Sequence, residues 1–137
     1  MKNYRMAEFE RIRYMVAGYL KGIGIDALLP PDPFAGGIVR MDVIAINRAK
    51  NIDCTIQVER GSLKKLIQNW GSNFIVFIEK GSLFRMKAAN FYILPREVVD
   101  EAVDRVKDYA GRIRVQDIGH LEQYLENWGL IKNFLQL

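Results

Sequence analysis

A chain of 137 residues and 15.8 kDa, 50% hydrophobic and 26% charged, has the size and composition of one globular domain, not of a disordered tail. One cysteine, Cys54, and one histidine, His120, exclude an intramolecular disulfide, a cysteine-based zinc cluster and any multi-histidine metal centre. The net charge of +4 and the pI of 9.3 admit a polyanionic partner without demanding one.

No apolar run approaches the ~20 residues that span a bilayer. The first residues scatter Lys2, Arg5, Arg11, Arg13 and Lys21 among Glu8 and Glu10 with no central apolar block, so they do not form a signal peptide. The expectation is a soluble, cytoplasmic protein without a membrane contact.

Residues 5–21 read as a helix, with Phe9, Ile12, Val16, Tyr19 and Leu20 at helical spacing and Arg11, Arg13 and Lys21 mostly elsewhere on the wheel. Gly22 and Gly24 end it. Residues 25–29 suit a short strand. Residues 30–37, with three prolines and two glycines, suit only a loop. Residues 38–47 are rich in Ile and Val and predict a strand. Residues 52–59 alternate, with Ile52, Cys54, Ile56 and Val58 on one face and Asp53, Thr55, Gln57 and Glu59 on the other. The polar turn 48–51 between them predicts a hairpin.

Ser62 is a good N-cap for a helix over 62–70. The run 74–78 predicts a buried strand, and 91–94 another that ends at Pro95. Residues 96–109 return to helical spacing. After Gly111, the residues Ile118, Leu121, Leu125, Trp128, Ile131 and Leu135 predict a terminal amphipathic helix or a broken pair. The order helix, three strands, helix, two strands, two helices predicts an α/β or α+β domain with a mixed sheet. Neither an internal repeat nor a linker interrupts it.

Three carboxylates stand at positions that bear on chemistry. Glu8 borders the apolar stripe of the first helix, whereas Glu10 points away. Asp42 interrupts a nearly all-apolar strand. Glu59 and Gln57 share a face at the end of the hairpin's second strand, and pairing around the turn brings them close to Asp42. Oxygen ligands converging at a sheet end suit a hard divalent cation such as Mg²⁺. Cys54 lies on the apolar side of its strand and reads as packed and inert. His120 reads as a surface or capping residue, and Trp70 and Trp128 as packing residues. Gly18, Gly22 and Gly24 lack the strand and helix context of a dinucleotide loop. The basic residues Arg40, Arg48, Lys50, Lys64 and Lys65 read as a phosphate-tracking patch around the carboxylates.

A helix with a glutamate, a glycine-marked turn, a strand, a loop and then "RMDVIAINRAKNIDCTIQVERG" resembles the PD-(D/E)XK nuclease superfamily. The likeness is greatest to its archaeal Holliday-junction-resolvase branch and related small nuclease-like domains. Met41-Asp42 stands for the Pro-Asp pair, and Gln57-Val58-Glu59 for the (D/E)-x-K element. Glutamine therefore replaces the second acid, and glutamate holds the lysine's place. The segment "NFYILPREVVDEAV" resembles the aromatic strand, proline and helix of many small members.

The resemblance implies a restriction-endonuclease-like αβββαβ core with C-terminal helices, acting on DNA as an Mg²⁺-dependent endonuclease. It implies metal ligation by Glu8, Asp42 and Glu59, help from Gln57 as a neutral ligand, and a replacement cation from Arg60, Lys64 or Lys65. Lys64 then joins the catalytic set, and Arg40, Arg48, Lys50, Arg60 and Lys65 contact the nucleic acid. It also implies a homodimer, for which the apolar C-terminal helix offers a surface anchored on Trp128 or Phe134. The alternative is a non-catalytic module, for protein interaction or nucleic-acid binding, on the same fold.

Overall fold

The computed structural model describes residues 4–34, 37, 39–80 and 90–137. Helix α1 (Tyr4–Gly22) leads through a glycine turn into β1 (Asp26–Leu28), and a loop then carries the chain to β2 (Val43–Asn47). β2 and β3 (Ile52–Gly61) form the predicted antiparallel hairpin, in register Val43 opposite Ile56 and Ala45 opposite Cys54. After β4 (Leu66–Gln68), the strand β5 (Phe74–Glu79) lies parallel to β3, and β6 (Asn90–Pro95) pairs antiparallel with β5. The central sheet is five-stranded and mixed, in the order β1-β2-β3-β5-β6. This is an α/β domain.

Helix α2 (Arg96–Val106) follows directly from β6, and β7 (Arg112–Arg114) pairs with β4 in a separate two-stranded sheet. Two 3₁₀ turns (Val115–Asp117 and Leu121–Tyr124) and the short helix α3 (Gly129–Phe134) complete the chain. Among the described residues, no helix is long and apolar enough to cross a membrane.

The sheet is buried on both faces. Phe74, Val76 and Ile78 of β5 meet Ile12, Val16 and Leu20 of α1 on one side, together with Ile131 and Leu135 of the C-terminal segment. Ile75 and Phe77 meet Val99 and Ala102 of α2 on the other, with Ile67 and Ile113 of the small sheet. This two-sided burial explains why β5 is an unbroken apolar run while the hairpin strands still alternate.

Three expectations need correction. Residues 62–70 form no helix, so the second helix of the expected αβββαβ order is missing between β3 and β5, and β4 stands in its place. Ser62 accepts from the Lys64 N–H at 3.3 Å and its carbonyl from the Lys65 N–H at 3.0 Å, which makes a turn that runs straight into β4. A nine-residue helix is marginal alone, whereas pairing Ile67 with Ile113 buries both side chains under the sheet. The strand predicted over 38–47 begins only at Val43, and position 38 lies outside the described residues.

The terminal apolar stripe is also not one helix face. Ile118 and Leu121 pack on the α2 side, and Trp128, Ile131 and Leu135 on the α1 side. Positive φ at His120 and Glu126 turns the chain between the two destinations. The predicted dimer stripe therefore divides over the chain's own sheet, leaving Leu125 and Phe134 each 40% exposed.

Cys54 is fully buried beneath α1, and burial pushes its thiol from the ordinary 9.0 up to about 12. The unfolded chain thus loses this proton first as the pH rises. Stability should fall from pH 9 toward 12 by up to about 1.4 kcal/mol per unit from this group alone. A Cys54→Ala variant should show a correspondingly flatter urea midpoint over that range. The native thiol should resist a disulfide reagent at pH 8 and react fully in urea; rapid native labelling would mean that the thiol is open to water.

Candidate functional site

The site forms where the open end of the β2–β3 hairpin meets the N-terminal half of α1. Asp42 lies one residue before β2, with its N–H donating to the Ile56 carbonyl at 3.0 Å. Its side chain is fully buried, and Oδ2 accepts the Val58 N–H at 2.8 Å. Arg40 comes from the loop before β2. Its backbone is held by the 69–72 turn: its N–H donates to the Trp70 carbonyl, and its carbonyl accepts the Ser72 hydroxyl. That turn depends on Gly71 at φ 89°, where an added Cβ would come within 3.2 Å of Val39.

The Arg40 guanidinium sits between the two acids. Nε donates to Asp42 Oδ1 at 3.0 Å and Nη2 lies 2.9 Å from Oδ2, while Nη1 donates to Glu59 Oε1 at 2.7 Å. Nη2 also reaches the Val58 carbonyl at 3.1 Å. The Phe9 ring lies 5.2 Å from the guanidinium carbon. The Arg40 side chain is only 13% exposed.

Burial works against the charge on Arg40, but Asp42 and Glu59 more than offset it, so its affinity for the proton is raised above the ordinary value. Burial lifts the Asp42 carboxyl above the usual carboxylate range, while Arg40 and the Val58 amide pull it back down. The paired, hydrogen-bonded arrangement is what a buried ion pair requires.

Glu59 accepts from Arg40 and from Gln57 Nε2 at 3.1 Å, and its second oxygen accepts from Lys65 Nζ at 3.2 Å. Gln57 is a buried strut: its amide also donates to the Gln68 carbonyl at 2.8 Å, and its oxygen accepts the Trp70 N–H at 3.0 Å. Glu8 does face this end of the sheet, and it pairs with Arg60 at 2.6 Å, whereas Glu10 pairs with Arg13. Glu8, Arg40, Glu59, Arg60, Lys65 and Lys80 line a cavity of about 360 Å³ floored by Phe9, Ile12 and Val58.

Lys64 is exposed on the turn next to this cavity and does not line it. Arg48 and Lys50 are elsewhere. They occupy the turn at the opposite end of the hairpin, where Arg48 pairs with Asp26 and Lys50 lies 3.4 Å from Gln136. With about 3.3 Å per strand residue, that turn is far from Glu59, so the predicted basic cluster is split.

Two further residues belong to the site. Arg13, off the apolar stripe by helical spacing, is nevertheless buried, donating from Nε to the Asp42 carbonyl at 2.9 Å and from Nη2 to the Pro30 carbonyl. The signal was its position four residues after Phe9, over whose ring it stacks at 5.6 Å. Lys80, immediately after β5, reaches the cavity because β5 runs parallel to β3 and ends beside Gly61, and no local pattern marks it.

The donor set does not suit a divalent cation while Arg40 holds its place. A hard cation needs oxygens with open lone pairs converging on one point. Three N–H contacts occupy the two Asp42 oxygens, Glu59 is shared among Arg40, Gln57 and Lys65, and the Gln57 oxygen faces a backbone amide. Among the described residues, no three carboxylate, imidazole or thiol groups converge on a common point. The arrangement offers instead a cationic rim around a shallow cavity. Comparisons with family models, curated proteins and solved structures return no match for this chain.

Proposed function

We propose that this chain is a nuclease-like module of the PD-(D/E)XK type that holds nucleic-acid backbone at the hairpin end without hydrolysing it. The observation that carries the reading is the seat of Arg40 on Asp42 and Glu59. It places an internal cation where the resemblance puts Mg²⁺, and the cations a phosphate would meet are Lys80 together with Arg60 and Lys65, which it would draw from their pairs with Glu8 and Glu59. Four cations line or floor the cavity against Glu8, Glu59 and the buried Asp42, so its charge balance is positive. The antiparallel hairpin followed by a strand parallel to β3 supports this reading, with the acid just before β2 and Gln57-Val58-Glu59 on β3, although β4 takes the place of the expected crossover helix.

Fluorescence anisotropy on labelled duplex and branched DNA, in metal-free buffer from 50 to 200 mM salt, tests this reading. Three phosphate contacts predict a log–log salt slope of about −2.7, at roughly −0.9 per contact. The double variant Arg60→Ala/Lys65→Ala should weaken binding about tenfold or more and flatten the slope by nearly two units. Salt-insensitive or undetectable binding at 50 mM salt would end the proposal. Mg²⁺-dependent cleavage that disappears in a folded Asp42→Asn variant would instead favour an active endonuclease, with Glu8, Asp42 and Glu59 on the metal and Lys64 near the phosphate.

A further inference from the structure

The three groups that Arg40 binds are all oxygens: the Asp42 carboxylate, Glu59 Oε1 and the Val58 carbonyl, at 2.7 to 3.1 Å from its nitrogens. Remove the guanidinium, and two carboxylates and a carbonyl are left facing one small, largely buried space. An all-oxygen set with two negative charges is the chemistry of a hard divalent cation site, not of an anion site. Without Arg40, Lys65 still reaches Glu59 but Asp42 keeps only the Val58 N–H, so the buried Asp42 charge has no cation of its own and each acid raises the cost of ionising the other. The backbone clamps on Arg40, from Trp70 and Ser72, hold it in position. Arg13 holds the Asp42 backbone carbonyl.

We propose that Arg40 is a built-in counter-ion that excludes divalent cations from a latent Asp42–Glu59–Val58 oxygen site, and that replacing it with a neutral side chain makes that site bind metal. This deepens the reading of the chain as a metal-independent module and rests on it. Guanidinium and metal are alternatives at one place. The wild-type chain therefore needs no metal to balance its two acids, and a single substitution converts the site.

The test is Mn²⁺ binding, followed by the loss of the free-ion paramagnetic resonance signal and by melting temperature. Wild type should show no saturable site below about 1 mM, the weak end of protein divalent-cation affinities. Arg40→Met should bind one Mn²⁺ per chain at least tenfold more tightly, with a melting temperature that rises on adding the ion. The further change Glu59→Gln should remove both effects. If Arg40→Met folds only when Mn²⁺ is present, the proposal is supported. If it does not fold at all, Arg40→Gln carries the test, since its amide still donates to Asp42 without supplying charge.

Two results would overturn the inference. One is a wild-type Mn²⁺ site lost in Asp42→Asn, and the other is a folded Arg40 variant that binds Mn²⁺ no better than wild type. DNA anisotropy on the same wild-type sample, without metal, is the separate readout for the module itself. A chain that binds no DNA, yet gains a metal site on losing Arg40, would defeat the functional reading and leave this inference standing.

Discussion

Replacing Asp42 with alanine should cost about 3–5 kcal/mol of folding stability, the range for removing one partner of a buried ion pair. The change leaves the Arg40 guanidinium, 13% exposed, without the carboxylate that takes two of its nitrogens, and it leaves the Val58 N–H without an acceptor. Glu59 alone cannot replace it, because it is already shared with Gln57 and Lys65. Asp42→Asn should cost less, since an amide oxygen can still accept the Val58 N–H, but it loses the charge. Urea denaturation reads this as a lowered midpoint at unchanged m-value. A loss under about 1 kcal/mol would show that Arg40 simply swings into water, and that the pair does not hold the hairpin end together.

Phe91→Ala should be about as damaging, at roughly 3–5 kcal/mol. The Phe91 ring is 2% exposed and lies 4.6 Å from the Tyr19 ring of α1 and 5.7 Å from the Trp128 ring of the C-terminal segment. Tyr19 and Trp128 are themselves stacked at 6.0 Å, so the three rings join α1, β6 and the terminal segment. Removing the central one leaves a cavity that neither neighbour can fill without leaving its own contacts. In a Trp70→Phe background, Trp128 emission should shift to the red in the native state of Phe91→Ala, because water reaches the indole. An unshifted spectrum with a small stability loss would mean that the terminal segment closes over the gap.

The elements legible in the sequence are those whose local pattern matches their final environment. Helix α1 was readable because its apolar stripe covers one sheet face, and the same phase turned Glu8 toward the hairpin end and Glu10 away. The hairpin was readable because a period of two around a polar turn allows one pairing that buries Cys54, Ile56 and Val58 together. That pairing brings Asp42 beside Val58 and Glu59. The unbroken run of β5 announced a strand covered on both sides.

Other features depend on neighbours distant in sequence. Whether residues 62–70 are helix or strand was decided by Ile113, nearly fifty residues on, because burying Ile67 against it outweighs a weak local helix preference. The terminal stripe looked continuous in the sequence, yet its residues go to opposite faces of the sheet, which only the turns at His120 and Glu126 make reachable.

The site divides in the same way. By itself the sequence determined which acids lie at the hairpin end, because strand periodicity and helix phase are local rules. Only the tertiary structure decided what those acids hold. The loop bearing Arg40 is pinned by the 69–72 turn, so its guanidinium reaches both Asp42 and Glu59, and the side chain that read as a surface phosphate contact became their buried counter-ion. Charge pairing in a buried place is settled by angstrom distances between segments far apart in the chain, and those distances follow from packing, not from spacing in the sequence.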